Sequence, residues 1–204
     1  MSTKDDILNA ALAVFAAHGF EAGTVRDICD RARANVAAVN YHFGDKAALY
    51  IKVLEHAHRS IGGGKPMPTA ADQPNDPEGQ LRVWIVWFLG RMLGAARTPV
   101  GQLMAREMQH PTTALDYLAS QSVQPHMSEV EQLIVRCSDV ALDERRIRMH
   151  AMTIVSQCLV FRSGQAMLDR LDPPHFGVED IEELATHILT VTMAALRSER
   201  KAHV

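Results

Sequence analysis

The sequence predicts an all-α protein with a small helical head over residues 1–60 and a larger helical domain over residues 61–204. Apolar residues recur every three or four positions along most segments, as they do on one face of a helix, and no useful length alternates with the period of a strand. Capping residues divide the stretch from Thr24 to Lys46 into short helices. A segment rich in Gly and Pro, residues 62–79, has no apolar period and separates the two parts.

Two short helices joined by a tight turn are predicted inside the head. Thr24 is placed to cap the first helix, and Asp27 follows three residues later to complete a box-like cap. Asn35 is placed to cap the second helix, which is expected to run from Val36 to about Phe43. Two helices of about eight residues with such a turn form a helix-turn-helix, whose second member fits the major groove of duplex DNA.

The next helix begins directly after this pair. Gly44 supplies a left-handed stop, and Asp45 caps a helix that begins at Lys46. The first part of the chain is therefore predicted to be a three-helix, helix-turn-helix DNA-binding head.

The second short helix carries side chains suited to DNA. Small residues at its start let the backbone approach base edges. Asn40 can pair with adenine, whereas Tyr41 and His42 can reach phosphate oxygens. The alternative is a plain amphipathic core helix with Val39 and Phe43 inward, and the two interpretations are compatible. The candidate DNA contacts are Thr24, Arg26, Asn35, Val36, Ala37, Ala38, Asn40, Tyr41, His42 and Lys46.

The segment from Ile7 to about Leu54 resembles the N-terminal domain of TetR/AcrR-family transcriptional regulators. The matching pieces are ILNAALAVFAAHGFEAGTVRDIC and NVAAVNYHFGDKAALY, with the YHF triplet and the following lysine as the most specific part. One departure lies in the turn, where the family usually has glycine and this chain has Arg33-Ala34. Either the turn closes without a left-handed residue, or Arg33 accepts that conformation at a cost of about 1 kcal/mol. Whether Arg33 contacts DNA is left open.

Net charge does not by itself indicate a nucleic-acid partner. Residues 1–60 carry as many Lys and Arg as Asp and Glu, so the head is formally neutral and has no broad basic patch. However, Arg26, Arg31, Arg33 and Lys46 all fall within the paired-helix segment. Two heads on a dimer would double the phosphate contacts.

Composition excludes several classes of protein. The chain of 204 residues has no apolar run long enough to span a membrane and begins with the polar MSTKDD, so we expect a cytoplasmic protein without a membrane partner. Its three cysteines are far apart, which argues against zinc and disulfide frameworks. We expect neither a cofactor nor a metal.

Several helical segments follow the break after the head. A helix is expected from about Pro77, a second segment from about Val100 to Gln109, and a third over 112–137 with an interruption at Pro125. Two longer periodic stretches, 143–170 and 178–198, are separated by DPPHFG.

The first of the last two stretches has one apolar stripe, and the second is apolar on more than one side. A terminal helix with two apolar faces predicts one partner inside the subunit and one outside it. The TetR resemblance implies that such helices from two subunits form a four-helix dimer interface. A fully intramolecular core is the alternative. The candidate interface residues are Ile154, Cys158, Ile181, Leu184, Ile188, Leu189 and Val191.

The C-terminal part resembles a narrower branch of the family, the CerR-type (CecR-type) regulators. The matching pieces are REMQHPTTALDYL from Arg106, VQPH ending at His126, and VSQCLVFR from Val155 to Arg162. This resemblance implies a sensor and dimerisation domain.

A sensor pocket in a helical domain is expected to combine apolar, flexible side chains with a few polar anchors. The same side chains at helical spacing more often form a plain core, so we expect only some of them to contact a ligand. The candidates are Trp84, Trp87, Phe88, Met104, Glu107, Met108, His110, Met152, Gln157 and Phe161.

The sequence therefore predicts a transcriptional regulator, by family habit a repressor, that binds a near-palindromic operator as a homodimer and is released by a small-molecule effector. A non-sensing or architectural DNA-binding protein is an alternative class. A helical enzyme is a further alternative with little support, because no phosphate loop, nucleophile elbow or metal-protease motif is present.

Overall fold

A computed structural model of the protein describes residues 3–61, 66–69, 75–95, 98–164, 167, 170–171 and 176–202. Within these ranges every regular element is helical, so the predicted all-α class is confirmed. The helices are α1 (Thr3–Ala22), α2 (Val25–Ala32), α3 (Val36–Phe43), α4 (Lys46–Ser60), α5 (Pro77–Ala95), α6 (Pro99–Gln109), α7 (Ala114–Leu118), α8 (Gln124–Cys137), α9 (Glu144–Ser163) and α10 (Ile181–Ala202). A π-helical turn (Ala119–Val123) precedes α8, and a 3-10 turn (Val178–Asp180) precedes α10.

One compact unit consists of residues 1–64 together with 97–123. It contains α1 to α4 and also α6 and α7, which pack against α1 and α4. We call it the head unit. Its largest fully buried side chains are Ile7, Phe15, Ile28, Leu49, Leu54 and Leu103.

Helix α1 is interrupted near its C-terminal end. Gly19 has φ 79° and ψ 179°, a conformation that side-chain-bearing residues rarely adopt. A Cβ atom at this position would lie 3.1 Å from Cδ of Arg106, so the close approach of α6 also favours glycine. The helix therefore breaks at Gly19, between His18 and Phe20.

The other compact unit consists of residues 65–96 and 124–204 and is called the C-terminal unit below. Helix α5 packs against α8, α9 and α10, with Trp84, Ile85 and Leu89 fully buried. Pro125, which lacks a backbone N–H, directly follows the π-helical turn and Gln124, and the predicted interruption there takes the form of this π-helical irregularity.

The boundary predicted near residue 60 coincides with the end of α4. The chain then enters the C-terminal unit, but residues 97–123 return to the head unit before α8 begins. The two units are therefore each built from two separate stretches of sequence. Along the described ranges, no helix is both long and apolar enough to cross a bilayer.

Candidate nucleic-acid interface

Helix α2 begins with the predicted capping box. The Oγ1 atom of Thr24 accepts a hydrogen bond from the Asp27 backbone N–H at 3.1 Å and donates one to Oδ2 of Asp27 at 2.6 Å. The backbone N–H of Thr24 also donates to this carboxylate, at 3.4 Å. Hydrogen bonding from Thr24 is the main cause that lowers the pKa of Asp27 below its ordinary value, so the cap stays charged at neutral pH.

Helix α3 begins and ends where the sequence predicts. Oδ1 of Asn35 accepts a hydrogen bond from the backbone N–H of Ala38 at 2.7 Å, and Gly44 ends the helix with φ 87°. Val39 and Phe43 are buried, which confirms their predicted inward positions. These two residues anchor α3 on α1 and α4 and leave its opposite face exposed.

The exposed face of α3 combines small and hydrogen-bonding side chains. Tyr41 is 86% exposed, Val36 is half exposed, and Ala37, Asn40 and His42 are exposed. Single exposed apolar side chains are common on protein surfaces, so the informative feature of this face is their combination with the Asn40 amide and the Tyr41 hydroxyl. The face is therefore available to a partner.

The remaining candidate DNA contacts are placed differently. The Arg26 side chain is exposed, whereas Ala38 is partly buried against the core. The capping oxygen atoms of Thr24 and Asn35 already bond to backbone amides of their own helices. These two residues position the helices, whatever else they contact.

Lys46 has an intramolecular role that the sequence did not predict. Its Nζ atom donates a hydrogen bond to the backbone oxygen of Glu21 at 3.0 Å and lies 4.8 Å from the centre of the Phe20 ring. A cation at the last carbonyls of a helix is favoured electrostatically. Lys46 therefore ties the start of α4 to the end of α1.

A buried hydrogen-bond network holds α4 against α6 in the head unit. The Tyr50 hydroxyl donates to Oε2 of Glu107 at 2.7 Å, and the Thr112 backbone N–H and Oγ1 donate to Oε1 at 2.8 and 2.9 Å. Burial first, and then the bond to Glu107, raise the pKa of Tyr50 well above its ordinary value. Because both oxygens of Glu107 are engaged and the residue is 1% exposed, it anchors α6 and does not serve as the polar pocket group that the sequence suggested.

Helix α4 also packs against α7. Glu55 of α4 pairs with Lys52 of the same helix, with 2.9 Å between Nζ and Oε1. The buried Tyr50–Glu107 bond is thus the hydrogen bond that fixes α4, the helix after α3, to α6.

The predicted effector-pocket residues fall into both units. Met104, Glu107, Met108 and His110 belong to the head unit, and the other six belong to the C-terminal unit. Met108, His110 and Met152 are exposed, with Met152 at 60%. Helical spacing alone could not assign these side chains to an interior or exterior face, because apolar residues such as Met108 and Met152 also occur on the exposed sides of α6 and α9.

Three of the predicted pocket residues form an aromatic cluster in the C-terminal unit. The rings of Trp84 and Phe88 stack at 4.9 Å, and Trp87 lies beside Trp84 at 6.3 Å. His126 of α8 completes the cluster, 5.2 Å from the Trp87 ring. Trp84 is fully buried, and its Nε1 atom makes no hydrogen bond to any of the described residues.

Two neighbours of this cluster were missed as functional candidates. Arg91 lies over the Trp87 ring at 4.9 Å, and burial lowers the pKa of this guanidinium. The spacing of four between Trp87 and Arg91 on one helix was a usable signal. The contact of His126 joins two helices and could not be read from local spacing. A further aromatic pair of this unit is Phe161 with Phe176, at 5.5 Å.

Most of the predicted dimer-interface residues are core residues of their own unit. The buried ones are Ile154, Cys158, Leu184, Ile188 and Leu189, whereas Ile181 is partly buried and Val191 is 40% exposed. A buried side chain cannot contact a second subunit without repacking, so these positions need correction. The exposed apolar side chains of α9 are Met149, Met152 and Val160.

The sequence matches two family models. Residues 7–53 match the model of bacterial regulatory proteins of the tetR family. Residues 77–196 match the model of the C-terminal domain of the HTH-type transcriptional dual regulator CecR.

Individual relatives agree with these matches. The chain is 27% identical to the transcriptional dual regulator CecR of Shigella flexneri over 171 residues, which cover 79% of this chain and 76% of that protein. It is 43% identical to the transcriptional repressor NicS of Pseudomonas putida over 59 residues, 29% of this chain and 28% of NicS. The fold is similar to that of the TetR-family regulator PfmR from Thermus thermophilus, with a TM-score of 0.65 at 18% identity over 93% of this chain and 96% of PfmR.

The capped helix pair, the exposed face of α3 and the two family matches lead to one conclusion. The chain belongs to the TetR family of DNA-binding transcriptional regulators, with a C-terminal domain of the CecR type.

Proposed function

We propose that this regulator is a repressor that binds a near-palindromic operator as a homodimer and leaves it when a small molecule binds the C-terminal unit. The observation that carries the DNA-binding part is the exposed face of α3, which has two buried anchors behind it and capped ends. A short, rigidly seated helix with small residues at its N-terminal end suits entry into a major groove.

The roles on this face follow from side-chain chemistry. Asn40 forms two hydrogen bonds with adenine, and Val36 and Ala37 touch thymine methyl groups. Tyr41 and His42, one turn later, bind phosphate oxygens, and Arg26 at the start of α2 adds a cation on the side where that helix crosses the backbone. Base contacts supply specificity and phosphate contacts supply most of the affinity.

Selection from a random-sequence duplex library tests this function. The purified full-length protein is expected to enrich a site made of two related half-sites, because two heads related by two-fold symmetry read the same sequence on opposite strands. The matched control is the Asn40→Ala variant, which keeps the fold and loses the adenine contact. Absence of any enriched sequence for the wild type would contradict the proposal.

A homodimer is supported by the outer faces of α9 and α10. Met149, Met152 and Val160 on α9 and Val191 on α10 are exposed apolar side chains at helical spacing, and α9 packs against α10 within the unit. Two adjacent helices with such faces can pair with their symmetry mates as a four-helix interface. The interface residues we propose are thus the exposed ones, not the buried ones that the sequence suggested.

An effector site is supported by the aromatic cluster of the C-terminal unit. Trp84, Trp87 and Phe88 offer ring faces, and the buried Nε1 of Trp84 is a hydrogen-bond donor without an acceptor among the described residues. Apolar surroundings with a few placed polar groups are the usual composition of small-molecule sites. We propose that a small aromatic or apolar molecule with a hydrogen-bond acceptor binds at this cluster.

The effector part has its own experiment. A thermal-shift screen of small aromatic carbonyl compounds identifies binders, and each is then titrated into the protein with and without the selected duplex while tryptophan fluorescence is recorded. Reciprocity requires that the duplex lower the protein's affinity for the small molecule by the same factor by which the small molecule lowers its affinity for the duplex. Trp84→Phe keeps an aromatic ring of smaller size and removes the donor, so it should weaken the affinity for binders and leave DNA affinity intact. Equal affinities for a binder with and without duplex would contradict effector-controlled release.

A further inference from the structure

The turn between α2 and α3 contains a backbone conformation that arginine rarely adopts. Arg33 has φ 52° and ψ 40°, and among the described residues it is the only one other than glycine with a positive φ. The left-handed conformation places Cβ too close to the next carbonyl oxygen and disfavours an ordinary residue relative to glycine. Such strain is found preferentially at functional sites.

The closure of the turn does not depend on the Arg33 side chain. The backbone N–H of Arg33 donates to the Cys29 oxygen, and the N–H of Ala34 donates to the same oxygen at 3.0 Å. Glycine or asparagine would form both bonds with less strain. The guanidinium itself is exposed and, within the described part of the chain, forms no ion pair or hydrogen bond.

The position of Arg33 places its charge where DNA phosphates pass. In a helix-turn-helix the first helix crosses the phosphate backbone and the N-terminal residues of the second enter the groove. The turn joins these two parts, so it lies at the edge of the groove, and Arg33 is two residues before the Asn35 cap of α3. A guanidinium is always charged and can bind two phosphate oxygens at once.

We propose that Arg33 is a phosphate contact of the DNA-binding head, and that the strained turn is retained because of this contact. The competing explanation is internal. A cation near the last carbonyls of α2 would stabilise that helix electrostatically, and the protein would keep Arg33 for its own stability. If Arg33 binds phosphate, removing its charge lowers DNA affinity and its salt dependence without lowering stability. If Arg33 stabilises α2, removing the charge lowers the stability of the protein.

The experiment compares variants of the full-length protein on two duplexes, the one selected by the wild type and one of random sequence. Arg33→Asn and Arg33→Gly remove the charge and relieve the strain, whereas Arg33→Lys keeps the charge in the same conformation. Arg59→Asn is the matched control, because it removes one exposed arginine from the same unit near the far end of α4, about 20 Å along that helix from its start. Affinity is measured against salt concentration, and the melting temperature is measured for each protein.

We expect Arg33→Asn and Arg33→Gly to bind both duplexes about threefold to tenfold more weakly at physiological salt. The slope of log affinity against log salt concentration should become less steep by about 0.9 for each head. Their melting temperatures should stay equal or rise by up to about 4 °C. Arg33→Lys should keep most of the salt dependence of binding. Arg59→Asn should have the affinity and the salt dependence of the wild type.

Three results would overturn the inference. Unchanged affinity and slope for the neutral variants, beside a wild type that binds, would remove Arg33 from the contacts while leaving DNA binding intact. Weaker binding with an unchanged slope and a lower melting temperature would assign the charge to the stability of α2. Failure of the wild type to bind either duplex would overturn DNA binding together with this role for Arg33.

Discussion

Individual side chains of the head divide into those that hold the helices and those that face outward. Thr24, Asn35 and Lys46 use their polar atoms inside the head, as two caps and one inter-helix tie. Asn40 and Tyr41 are exposed on α3. A substitution in the first group should alter stability, and one in the second group should alter recognition.

Asn40 and Tyr41 should affect DNA binding in different ways. Asn40→Ala is expected to reduce discrimination against the wrong base by about 1–3 kcal/mol and to leave random-sequence binding unchanged, because adenine pairing is lost. Tyr41→Phe, which removes only a hydroxyl group, is expected to lower the affinity for both duplexes by the same factor. Competition binding with the selected and random duplexes measures both effects. Equal losses on the two duplexes for Asn40→Ala would exclude it from base recognition.

The buried carboxylate of Glu107 should be critical for the stability of the head unit. Glu107→Ala leaves the buried Tyr50 hydroxyl and the partly buried Thr112 donors without their acceptor, at about 1–3 kcal/mol for the buried donor and less for the partly exposed ones. Tyr50→Phe removes one bond only and should cost less. Urea unfolding measures the free energy of unfolding of each variant.

The control for this series is Glu131→Ala, which removes an exposed ion pair with Arg148, 3.4 Å in length. Exposed pairs contribute about 0–1 kcal/mol, so this variant should unfold almost as the wild type does. If Glu107→Ala and Glu131→Ala were equally stable, the Tyr50–Glu107 bond would not anchor α6.

At the scale of helices, capping residues predicted where α2 and α3 begin and end, but no sequence signal predicted which distant helices pack together. The bounds of α2 and α3 follow from Thr24, Asn35 and Gly44, whose effects act within one turn. The packing of α6 in the head unit depends on Glu107 meeting Tyr50 across 57 positions of sequence, which no local pattern reports.

The outward faces of α9 and α10 also could not be predicted from local sequence. Both helices were predicted, but their apolar residues were assigned to a partner subunit although Ile154 and Ile188 fill the core of their own unit. Apolar residues on several sides of a helix do not reveal which side faces the core. Burial in the structure moves the proposed interface to Met152 and its exposed neighbours.

Met152→Glu should disrupt the proposed homodimer. A carboxylate buried without a counter-charge between subunits is strongly unfavourable, and the exposed position leaves the fold of the monomer intact. Light scattering should give about twice the 22.5 kDa chain mass for the wild type and about the chain mass for the variant. The control is Val83→Glu on α5, another apolar-to-acidic change at an exposed position, which should remain dimeric. A monomeric wild type at micromolar concentration would contradict both the interface and two-headed DNA binding.

At the scale of the whole molecule, the proposed effector-controlled function requires the two units to communicate. The chain passes between them near residues 64–65, 96–97 and 123–124, so the head unit is covalently joined to the C-terminal unit at three places. We expect an effector to act by shifting a two-state equilibrium of the dimer that changes the separation of its heads, with a coupling of about 1–3 kcal/mol.

The most direct test of the account is hydroxyl-radical footprinting of the full-length protein on the selected duplex. The account predicts two protected regions related by two-fold symmetry, with centres separated by about one helical turn, 34–36 Å, or by a longer spacing. Tyr41→Ala should weaken protection in both regions together, since each head carries the same residue. A single protected region, or two regions that persist unchanged in Tyr41→Ala, would contradict the claim that a symmetric pair of α3 helices reads the DNA.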